Sequence, residues 1–399
     1  MAANAKLTYI DIFAGCGGLS LGLHNAGWRG LFAIEKNPMA FKTLHHNLIV
    51  KKDHFDWPSW LPIQAHDINV VLSEHRDELR SLEGKVNLVA GGPPCQGFSF
   101  AGRRWEHDER NKLAESYVNF IGLVRPNILF FENVRGFTAQ FIKRSTEGKT
   151  YSKIVRDKLE ALGYNVISEI IDFSEFGIPQ RRRRFILVGV NDDGDAQQFF
   201  EKLHQAKKSF LKRKGLSTTT TAIEALSDIE RNHGEYPLPD SNHFKAGVYG
   251  KPDTNYQKLM RLNNFSEYPD SHRFANHKPE TIGRFQMFLK NYPRNKNVAA
   301  MYRQNEDYKK NCLTLLDPDM PSPTLTTLPD DYVHYSEARI LTVREFARLQ
   351  SFNDWYEFKD KYTTGGKLRK SEVPRYSQVG NAIPPLFVEQ AGYVLKAMI

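Results

Sequence analysis

The chain has 399 residues, which is enough for one large domain and a smaller one. Hydrophobic residues make up 40% and aromatic residues 12% of it, so the chain can fill hydrophobic cores and wholesale disorder is excluded. The net charge of +9 favours a polyanionic partner such as nucleic acid, although a basic cluster such as residues 207–215 is equally compatible with a solvated helix face.

The cysteines and the apolar runs further restrict the class of protein and its cellular compartment. The three cysteines, Cys16, Cys95 and Cys312, lie far apart, which excludes a disulfide framework or a cysteine-rich zinc site, and we expect no metal ion. The longest apolar runs are strand-sized, so the sequence predicts no membrane span and no signal peptide. These features favour a reducing cytoplasm.

Strands and helices alternate in the first half of the sequence. A glycine-rich turn after the first strand leads into a helix predicted at about residues 19–26. Apolar runs predict strands at residues 7–13, 30–35, 86–90, 128–132 and 185–190. Such alternation predicts an α/β fold with a mostly parallel sheet and helices on both faces. Functional sites lie at the carboxyl ends of such strands, which is where we find Asp11, Glu35, Cys95 and Glu132.

The pattern changes after residue 190. Residues 191–334 are polar and rich in Asn, Asp, Tyr and Pro, with only short apolar runs. They predict a second, smaller domain of irregular structure. Regular apolar spacing returns in the C-terminal segment, residues 335–399.

The first candidate site is the glycine-rich turn in DIFAGCGGLSLGL, residues 11–23. Glycines let a ligand approach the backbone, and the following helix N-terminus favours an anionic group. The spacing Gly15-x-Gly17-x-x-Ser20 is an imperfect dinucleotide fingerprint, so a dinucleotide site competes with a plain tight turn. Glu35 could accept hydrogen bonds from a ribose diol and Asp67 from a purine amine, although each alone is equally a surface carboxylate.

The stretch GGPPCQGFS, residues 91–99, follows a predicted buried strand. Its prolines restrict the backbone and its glycines allow close approach, so this loop is suited to holding the thiol of Cys95 in place. A buried cysteine that only fills the core is the competing interpretation.

Two further stretches carry charged side chains at strand ends. Glu132 ends an apolar strand in FFENVRGF, where desolvation would raise the pKa of its carboxyl group and suit a proton donor; a carboxylate that caps the next turn is the alternative. PQRRRRF, residues 179–185, enters a strand, so its side chains should alternate in direction. Gln180, Arg182 and Arg184 should then share one face. A localisation signal is the alternative for this basic run.

Six blocks in one order resemble signature blocks of the cytosine-C5 DNA methyltransferase family, and the resemblance covers nearly the whole chain. One block would be unspecific, whereas six in order are specific. The resemblance implies a Rossmann-like, S-adenosylmethionine-dependent methyltransferase fold with a smaller, irregular target-recognition domain. The blocks are DIFAGCGG, GGPPCQGFS, ENVRGF, QRRRRF, RILTVREFARLQSF and YSQVGNAIPP.

The resemblance implies roles for the catalytic residues. Cys95 resembles the nucleophile that adds to C6 of cytosine, and Glu132 resembles the acid that protonates N3. Arg184 would hold O2 of the base, and the carbonyl group of Pro94 would accept a hydrogen bond from the exocyclic amine. The residues implied to brace this site are Gln180 and Arg182.

The implied methyl donor is S-adenosylmethionine, which leaves as S-adenosylhomocysteine. Phe13 would lie against its adenine, Glu35 on its ribose, and Asp67 with Ile68 at the adenine edge. The other residues implied for this pocket are Ala14, Gly15, Gly17, Gly18, Leu19, Lys36, Pro93, Leu113, Asn381 and Ala382.

The implied partner is double-stranded DNA, from which the target base must be flipped out. Residues 103–112 resemble a mobile loop that closes over that base, and the residues expected to contact DNA are Ser99, Arg103 and Arg110. The resemblance implies that residues 1–190 carry catalysis and cofactor binding and that residues 191–334 recognise the target. Residues 335–399 would return to complete the catalytic domain.

The same resemblance implies a monomeric bacterial protein of the cytoplasm, associated with the nucleoid and not with a membrane. The resemblance is also compatible with a cognate restriction endonuclease that acts on the same DNA site and does not contact this protein directly.

Two other functions stay open at this point. A branch of the same family methylates tRNA with the same chemistry, but it usually carries a Cys-Phe-Thr signature, and the nearest string here is Cys312-Leu313-Thr314. A DNA-binding regulator that kept the fold is the non-enzymatic alternative, against which the presence of Cys95, Glu132 and Arg184 argues.

Overall fold

The computed structural model describes residues 6–94, 112–138, 150–191, 194–238, 241, 243–303 and 310–399. The chain forms two compact units, each built from separated segments. Unit 1 comprises Met1–Asp172, Arg183–Lys208 and Phe387–Ile399, and unit 2 comprises Phe173–Arg182 and Ser209–Leu386. Of the C-terminal segment predicted at residues 335–399, residues 335–386 therefore group with unit 2. The functions assigned to the predicted domains stay predictions, because compactness alone does not test them.

Unit 1 is built on a six-stranded sheet, whose strands are β1 (Thr8–Ile12), β2 (Arg29–Ile34), β3 (Leu88–Gly91), β4 (Ile128–Val134), β5 (Asn165–Asp172) and β6 (Arg183–Val190). They lie in the order β2-β1-β3-β4-β6-β5. The strands β2, β1, β3 and β4 are parallel to one another, whereas β6 runs antiparallel to both β4 and β5. The predicted, mostly parallel sheet is thus confirmed.

Helices and one apolar core complete unit 1. Asn37 caps the second helix by accepting a hydrogen bond from the backbone N–H of Met39 at 3.0 Å. The core joins the sheet to the helix at Lys112–Val124 through fully buried residues such as Ile10, Phe120 and Leu129. The helices are α1 (Gly18–Asn25), α2 (Pro38–Leu44), which continues into a π-helix (His45–Val50), α3 (Ile68–Glu74), α4 (Arg76–Ser81), α5 (Lys112–Val124) and α6 (Tyr151–Ala161).

Short elements make up most of unit 2. Its strands form two small sheets, the antiparallel pair β7 (Glu235–Pro237) and β8 (Lys245–Gly247) and the parallel pair β9 (Thr314–Leu315) and β10 (Tyr332–Val333). Two helices contain residues of both units, namely α7 (Gln198–Lys214) and α14 (Pro385–Lys396). The helices within unit 2 are α8 (Ala222–Leu226), α9 (Asn255–Arg261), α10 (Pro279–Asn291), α11 (Ala299–Arg303), α12 (Val343–Leu349) and α13 (Arg375–Asn381).

A buried arginine stabilises unit 2 at α12. That helix begins with a capping box in which Thr342 and Glu345 exchange side-chain and backbone hydrogen bonds. Arg348 is fully buried and donates to Asp354 at 2.6 Å and to Asp228. Burial disfavours the charged form of Asp354, but Arg348 holds the pKa of this carboxyl group below its ordinary value. Arg348 thus compensates two buried carboxylates at once, so its removal should destabilise unit 2.

Across the described ranges, no helix is both long enough and apolar enough to cross a membrane.

Candidate functional site

The glycine-rich turn after β1 has an unusual backbone. Phe13, Gly15 and Gly17 have φ angles of 62°, 56° and 90°, and such a left-handed conformation is uncommon for a phenylalanine. The turn is held to the sheet by a hydrogen bond from the N–H of Ala14 to the carbonyl oxygen of Ile34 at 3.0 Å. Backbone outliers of this kind concentrate at ligand sites, and a side chain added at Gly15 would enter open space.

Glu35 links this turn to the start of α2. Its Oε2 accepts a hydrogen bond from the N–H of Gly15 at 2.9 Å, and its Oε1 accepts one from the N–H of Asn37 at 2.7 Å. Burial raises the pKa of Glu35 above its ordinary value, and the two N–H groups oppose that shift. The carboxylate is therefore held in a fixed orientation at the carboxyl end of β2.

Asp67 is brought to the same place. The N–H of His66 donates to the carbonyl oxygen of Glu35 at 2.8 Å, and Lys36 Nζ lies 2.8 Å from Asp67 Oδ2. Burial disfavours the charged form of Asp67, but the ammonium group of Lys36 and the N–H of Asn69 hold the pKa of its carboxyl group below the usual value. The structure thus brings together Gly15, Glu35, Lys36 and Asp67.

Apolar residues border this polar cluster. Ile68 is 3% exposed and belongs to the core of unit 1, against which Phe13 and Leu113 pack. A hydrogen bond of 2.7 Å from Ser116 Oγ to Asn69 Oδ1 ties α5 to the start of α3. Four more predicted residues of the turn are buried, namely Ala14, Gly17, Gly18 and Leu19.

A buried carboxyl group lies next to the turn and received no role from the sequence. Asp11 is 1% exposed, and its Oδ2 accepts a hydrogen bond from Ser20 Oγ at 2.5 Å. Its Oδ1 is buried and has no hydrogen-bond partner in the part of the chain that the structure describes. Burial raises the pKa of Asp11 to about 7. The hydrogen bond from Ser20 lowers this pKa, whereas the nearby charge of Glu35 raises it further. The strand-end position of Asp11 was the only signal available in the sequence.

A second group of predicted residues meets where β3, β4 and β6 lie side by side. Arg184 Nε is 3.0 Å from Glu132 Oε1, and the two side chains are only 12% and 17% exposed. A methyl group on Gly92 would lie 2.9 Å from Glu132 Oε2, so the loop after β3 passes directly over this carboxylate. Asn133, which sequence reasoning missed although it lies in the ENV string, donates from Nδ2 to the carbonyl oxygen of Pro93 at 3.2 Å. Pro94 is exposed.

Four predicted site residues, Cys95, Ser99, Arg103 and Arg110, lie outside the described residues. The other two cysteines are poor sources of a thiolate. Cys16 is 2% exposed, and burial raises the pKa of its thiol to about 12. Burial also raises the pKa of Cys312.

Gln180 and Arg182 lie in unit 2, where both are buried. Gln180 Oε1 accepts a hydrogen bond from the N–H of Leu325 at 3.0 Å, and Arg182 Nη2 donates to the carbonyl oxygen of Gly380 at 2.9 Å. Arg181 and Arg183 are exposed, so burial alternates along this run as predicted. The two remaining predicted cofactor residues, Asn381 and Ala382, also belong to unit 2, at the end of α13.

Solved structures define the class of fold. A prophage-encoded protein of E. coli assigned as a DNA modification methyltransferase superimposes with a TM-score of 0.64 at 21% identity, covering 98% of this chain and 99% of the other. The Dnmt2 methyltransferase of S. pombe gives a TM-score of 0.56 at 17% identity, covering 98% of each chain. The fold is therefore the Rossmann-like fold of S-adenosylmethionine-dependent methyltransferases.

Sequence relatives define the family. The chain is 30% identical to the Type II methyltransferase M1.HphI of Haemophilus parahaemolyticus, over 98% of this chain and 87% of the relative. It is 29% identical to the Type II methyltransferase M.DdeI of Desulfomicrobium norvegicum, over 96% of this chain and 87% of the relative. Residues 7–397 match the family described as C-5 cytosine-specific DNA methylase. The chain belongs to this family, and its reaction is the methylation of cytosine in DNA at C5.

Proposed function

We propose that the protein is a sequence-specific methyltransferase of the restriction–modification type, which acts on double-stranded DNA with S-adenosylmethionine as methyl donor. The observation that carries this proposal is the ion pair of Glu132 and Arg184 beside the loop that leads to Cys95. A carboxyl group and a guanidinium group at one point can hold a single cytosine ring from two sides. Both relatives named above are Type II methyltransferases, which supports the restriction–modification context.

Cys95 supplies the nucleophile in the proposed mechanism. Its thiolate forms a bond from sulfur to C6 of the flipped cytosine while Glu132 gives a proton to N3, so that C5 becomes electron-rich. C5 then takes the methyl group that bound S-adenosylmethionine supplies. N3 then returns its proton to Glu132, a base removes the C5 proton, and the electron pair of that C–H bond forms the C5–C6 double bond and expels the sulfur of Cys95 as a thiolate.

Arg184 orients the base in this mechanism. A guanidinium group has five N–H donors, so Arg184 can hold Glu132 through Nε and still donate to O2 of the cytosine. The carbonyl group of Pro94 accepts from the exocyclic amine, and the hydrogen bond from Asn133 to Pro93 holds this loop beside the acid. Gln180 and Arg182 act as positioning residues through their contacts in unit 2.

The cluster around Glu35 is proposed to bind the methyl donor. An ionised carboxylate can accept about four hydrogen bonds, so Glu35 can take a ribose diol in addition to the N–H groups of Gly15 and Asn37. Phe13, Ile68 and Leu113 offer apolar surface to the adenine ring, and Asp67 an acceptor for its amine. The chemistry of these residues fits S-adenosylmethionine.

Residues 191–334 are proposed to recognise the target sequence, and Ser99, Arg103 and Arg110 to contact the DNA. Replacing residues 191–334 with the equivalent segment of another such enzyme should change which cytosines are modified. An active chimera that modified the original sites would contradict this assignment. We further propose that the protein is a monomer of the bacterial cytoplasm and is associated with the nucleoid. Its cognate restriction endonuclease would act on the same DNA site without contacting the methyltransferase.

The proposed function is tested by incubating the protein with labelled S-adenosylmethionine and either duplex DNA or tRNA. We expect label in DNA only, and bisulfite sequencing of a mixed DNA substrate should place every modified cytosine in one sequence context. Label in tRNA alone would support the tRNA branch of the chemistry instead.

A further inference from the structure

Gln350, directly after α12, is joined to the end of α13 within unit 2. The last four carbonyl groups of an α-helix have no partner inside the helix, so other groups must satisfy them. Gln350 Nε2 donates to one of these, the carbonyl oxygen of Val379, at 3.0 Å. The same nitrogen donates to the carbonyl oxygen of Ala382 at 3.1 Å, one residue beyond the helix. A single amide group therefore bridges the two sides of Asn381.

Further contacts fix this part of α13. Arg182 Nη2 donates to the carbonyl oxygen of Gly380 at 2.9 Å. A methyl group on Gly380 would overlap the carbonyl oxygen of Thr326, so the backbone of that segment passes directly against the helix end. Gln180 Nε2 donates to the carbonyl oxygen of Leu349 at 3.2 Å, at the end of α12. The end of α13 is thus held by three segments of unit 2.

Burial changes sharply along this turn. Val379 and Gly380 are buried, Asn381 is exposed and Ala382 is half-buried. The backbone on either side of Asn381 is therefore held in place while its side chain is open to solvent. A side chain on a fixed backbone can bind a ligand without the cost of ordering that backbone.

The orientation of the Gln350 amide favours a role beyond stability. The side chain is fully buried, and its Oε1 has no hydrogen-bond partner in the part of the chain that the structure describes. A buried acceptor left unpaired disfavours the folded state and offsets part of the gain from the two donated hydrogen bonds. Turning the amide over would set its oxygen against two carbonyl oxygens, which cannot donate. The arrangement therefore fixes the position of residues 379–382 at little gain in stability.

We infer that Gln350 is a positioning residue for cofactor binding, because it holds the end of α13 so that Asn381 is presented to S-adenosylmethionine. This gives a role to the block RILTVREFARLQSF, which contains Gln350 and to which the proposed function assigns none. The inference rests on the proposed binding of the methyl donor and on the role that the resemblance implies for Asn381.

The test is a double-mutant cycle read by isothermal titration calorimetry of the DNA-free protein with S-adenosylmethionine. Gln350→Met keeps the length of the side chain and removes both donated hydrogen bonds. Gln350→Met and Asn381→Ala should each weaken binding by about threefold to tenfold. If Gln350 acts through Asn381, the double variant should bind no more than about 1.5-fold more weakly than Asn381→Ala alone. At saturating S-adenosylmethionine, the single-turnover rate of Gln350→Met should stay within about twofold of the wild type, because the loss is one of binding.

Gln378→Met is the matched control on α13. Gln378 is 2% exposed, and its Nε2 also donates to two carbonyl oxygens, those of Val373 at 3.0 Å and Lys359 at 3.2 Å. These bonds lie on the side of the helix start and leave the turn at Asn381 untouched. Urea denaturation should show a loss of stability in both glutamine variants. Only Gln350→Met should lose affinity for S-adenosylmethionine.

Four results would overturn the inference: unchanged affinity of Gln350→Met, losses that multiply in the double variant, an equal loss of affinity in Gln378→Met, or unchanged affinity of Asn381→Ala. The last would also remove Asn381 from the cofactor pocket. A wild-type protein that does not bind S-adenosylmethionine would instead contradict the proposed function itself. Should Gln350→Met not fold, Gln350→Asn, whose amide is one methylene shorter and cannot reach both carbonyl groups, takes its place in the cycle with the same expected outcome.

Discussion

Arg184 and Glu132 meet across two antiparallel strands, with Nε of the arginine 3.0 Å from Oε1 of the glutamate. The register pairs Val134 with Arg184 and Glu132 with Ile186, so the two side chains are diagonal neighbours on adjacent strands. Their pairing ties the acid proposed to protonate N3 to the arginine proposed to hold O2.

Arg184→Ala should lower the single-turnover rate of methyl transfer by about 10²-fold or more, because the proposed acid loses its partner and the base loses a donor. Single-turnover methylation of a duplex carrying the mapped site measures this. Arg183→Ala is the matched control, since Arg183 is the exposed neighbour that pairs with Asp172 at 3.0 Å. A variant of Arg184 as active as that of Arg183 would remove Arg184 from the site.

A duplex with 5-fluorocytosine at the target position should trap Cys95. Fluorine cannot leave C5 as a cation, so after methyl transfer the bond from sulfur to C6 should persist and give a band that survives denaturing electrophoresis. Adduct formation should require S-adenosylmethionine. Cys95→Ala should abolish the adduct, whereas Cys16→Ala and Cys312→Ala should keep it. An active preparation that gives no adduct would falsify the covalent mechanism.

Glu35→Ala should weaken the binding of S-adenosylmethionine by roughly 1.5–3 kcal/mol, because the ribose diol loses a charged acceptor. Isothermal titration calorimetry of the DNA-free protein measures the loss directly. Glu74→Ala, which removes an exposed acid at the end of α3, should leave the affinity unchanged. Equal affinities of the two variants would place the ribose elsewhere.

Gly380→Ala should destabilise the protein by about 1–3 kcal/mol, because the added methyl group would lie 2.3 Å from the carbonyl oxygen of Thr326. Gly283→Ala is the matched control within unit 2, since nothing lies within 4 Å of its added methyl group. As a glycine inside α10, Gly283 should yield a gain of up to about 1 kcal/mol on this change. Urea denaturation measures both, and a tolerated alanine at position 380 would contradict the close approach.

Asp11 should make stability depend on pH. The folded-state pKa of about 7 lies above the ordinary value, so between about pH 4 and 7 the folded protein binds a proton that the unfolded chain has released. Folding stability should therefore fall as pH rises through this window, and level off above it. Asp11→Asn cannot ionise, so its stability relative to the wild type should rise over the same window. Chemical denaturation of both proteins from pH 4.5 to pH 8 tests this, and parallel curves would count against it.

Local patterns predicted much of unit 1. Apolar runs located five strands of the sheet to within a few residues, because each is buried and strand-length. Strand β5 was missed, since it is a mostly half-buried edge strand whose apolar residues come in two pairs and neither alternate nor form one continuous run.

Glu132 and Arg184 lie in blocks that resemble signatures of the family, and Glu35 ends an apolar strand. Asp67 has no such local signal, and its role was implied by the resemblance. The partners of these residues depended on the fold. The bond from Glu35 to Gly15 requires β1 and β2 side by side, and the pair of Glu132 and Arg184 requires β6 to run antiparallel to β4. The raised pKa of Asp11 likewise comes from burial by parts of the chain that are distant in sequence. Residue type and spacing are local properties, whereas desolvation, register and charge pairing exist only once remote segments are packed together.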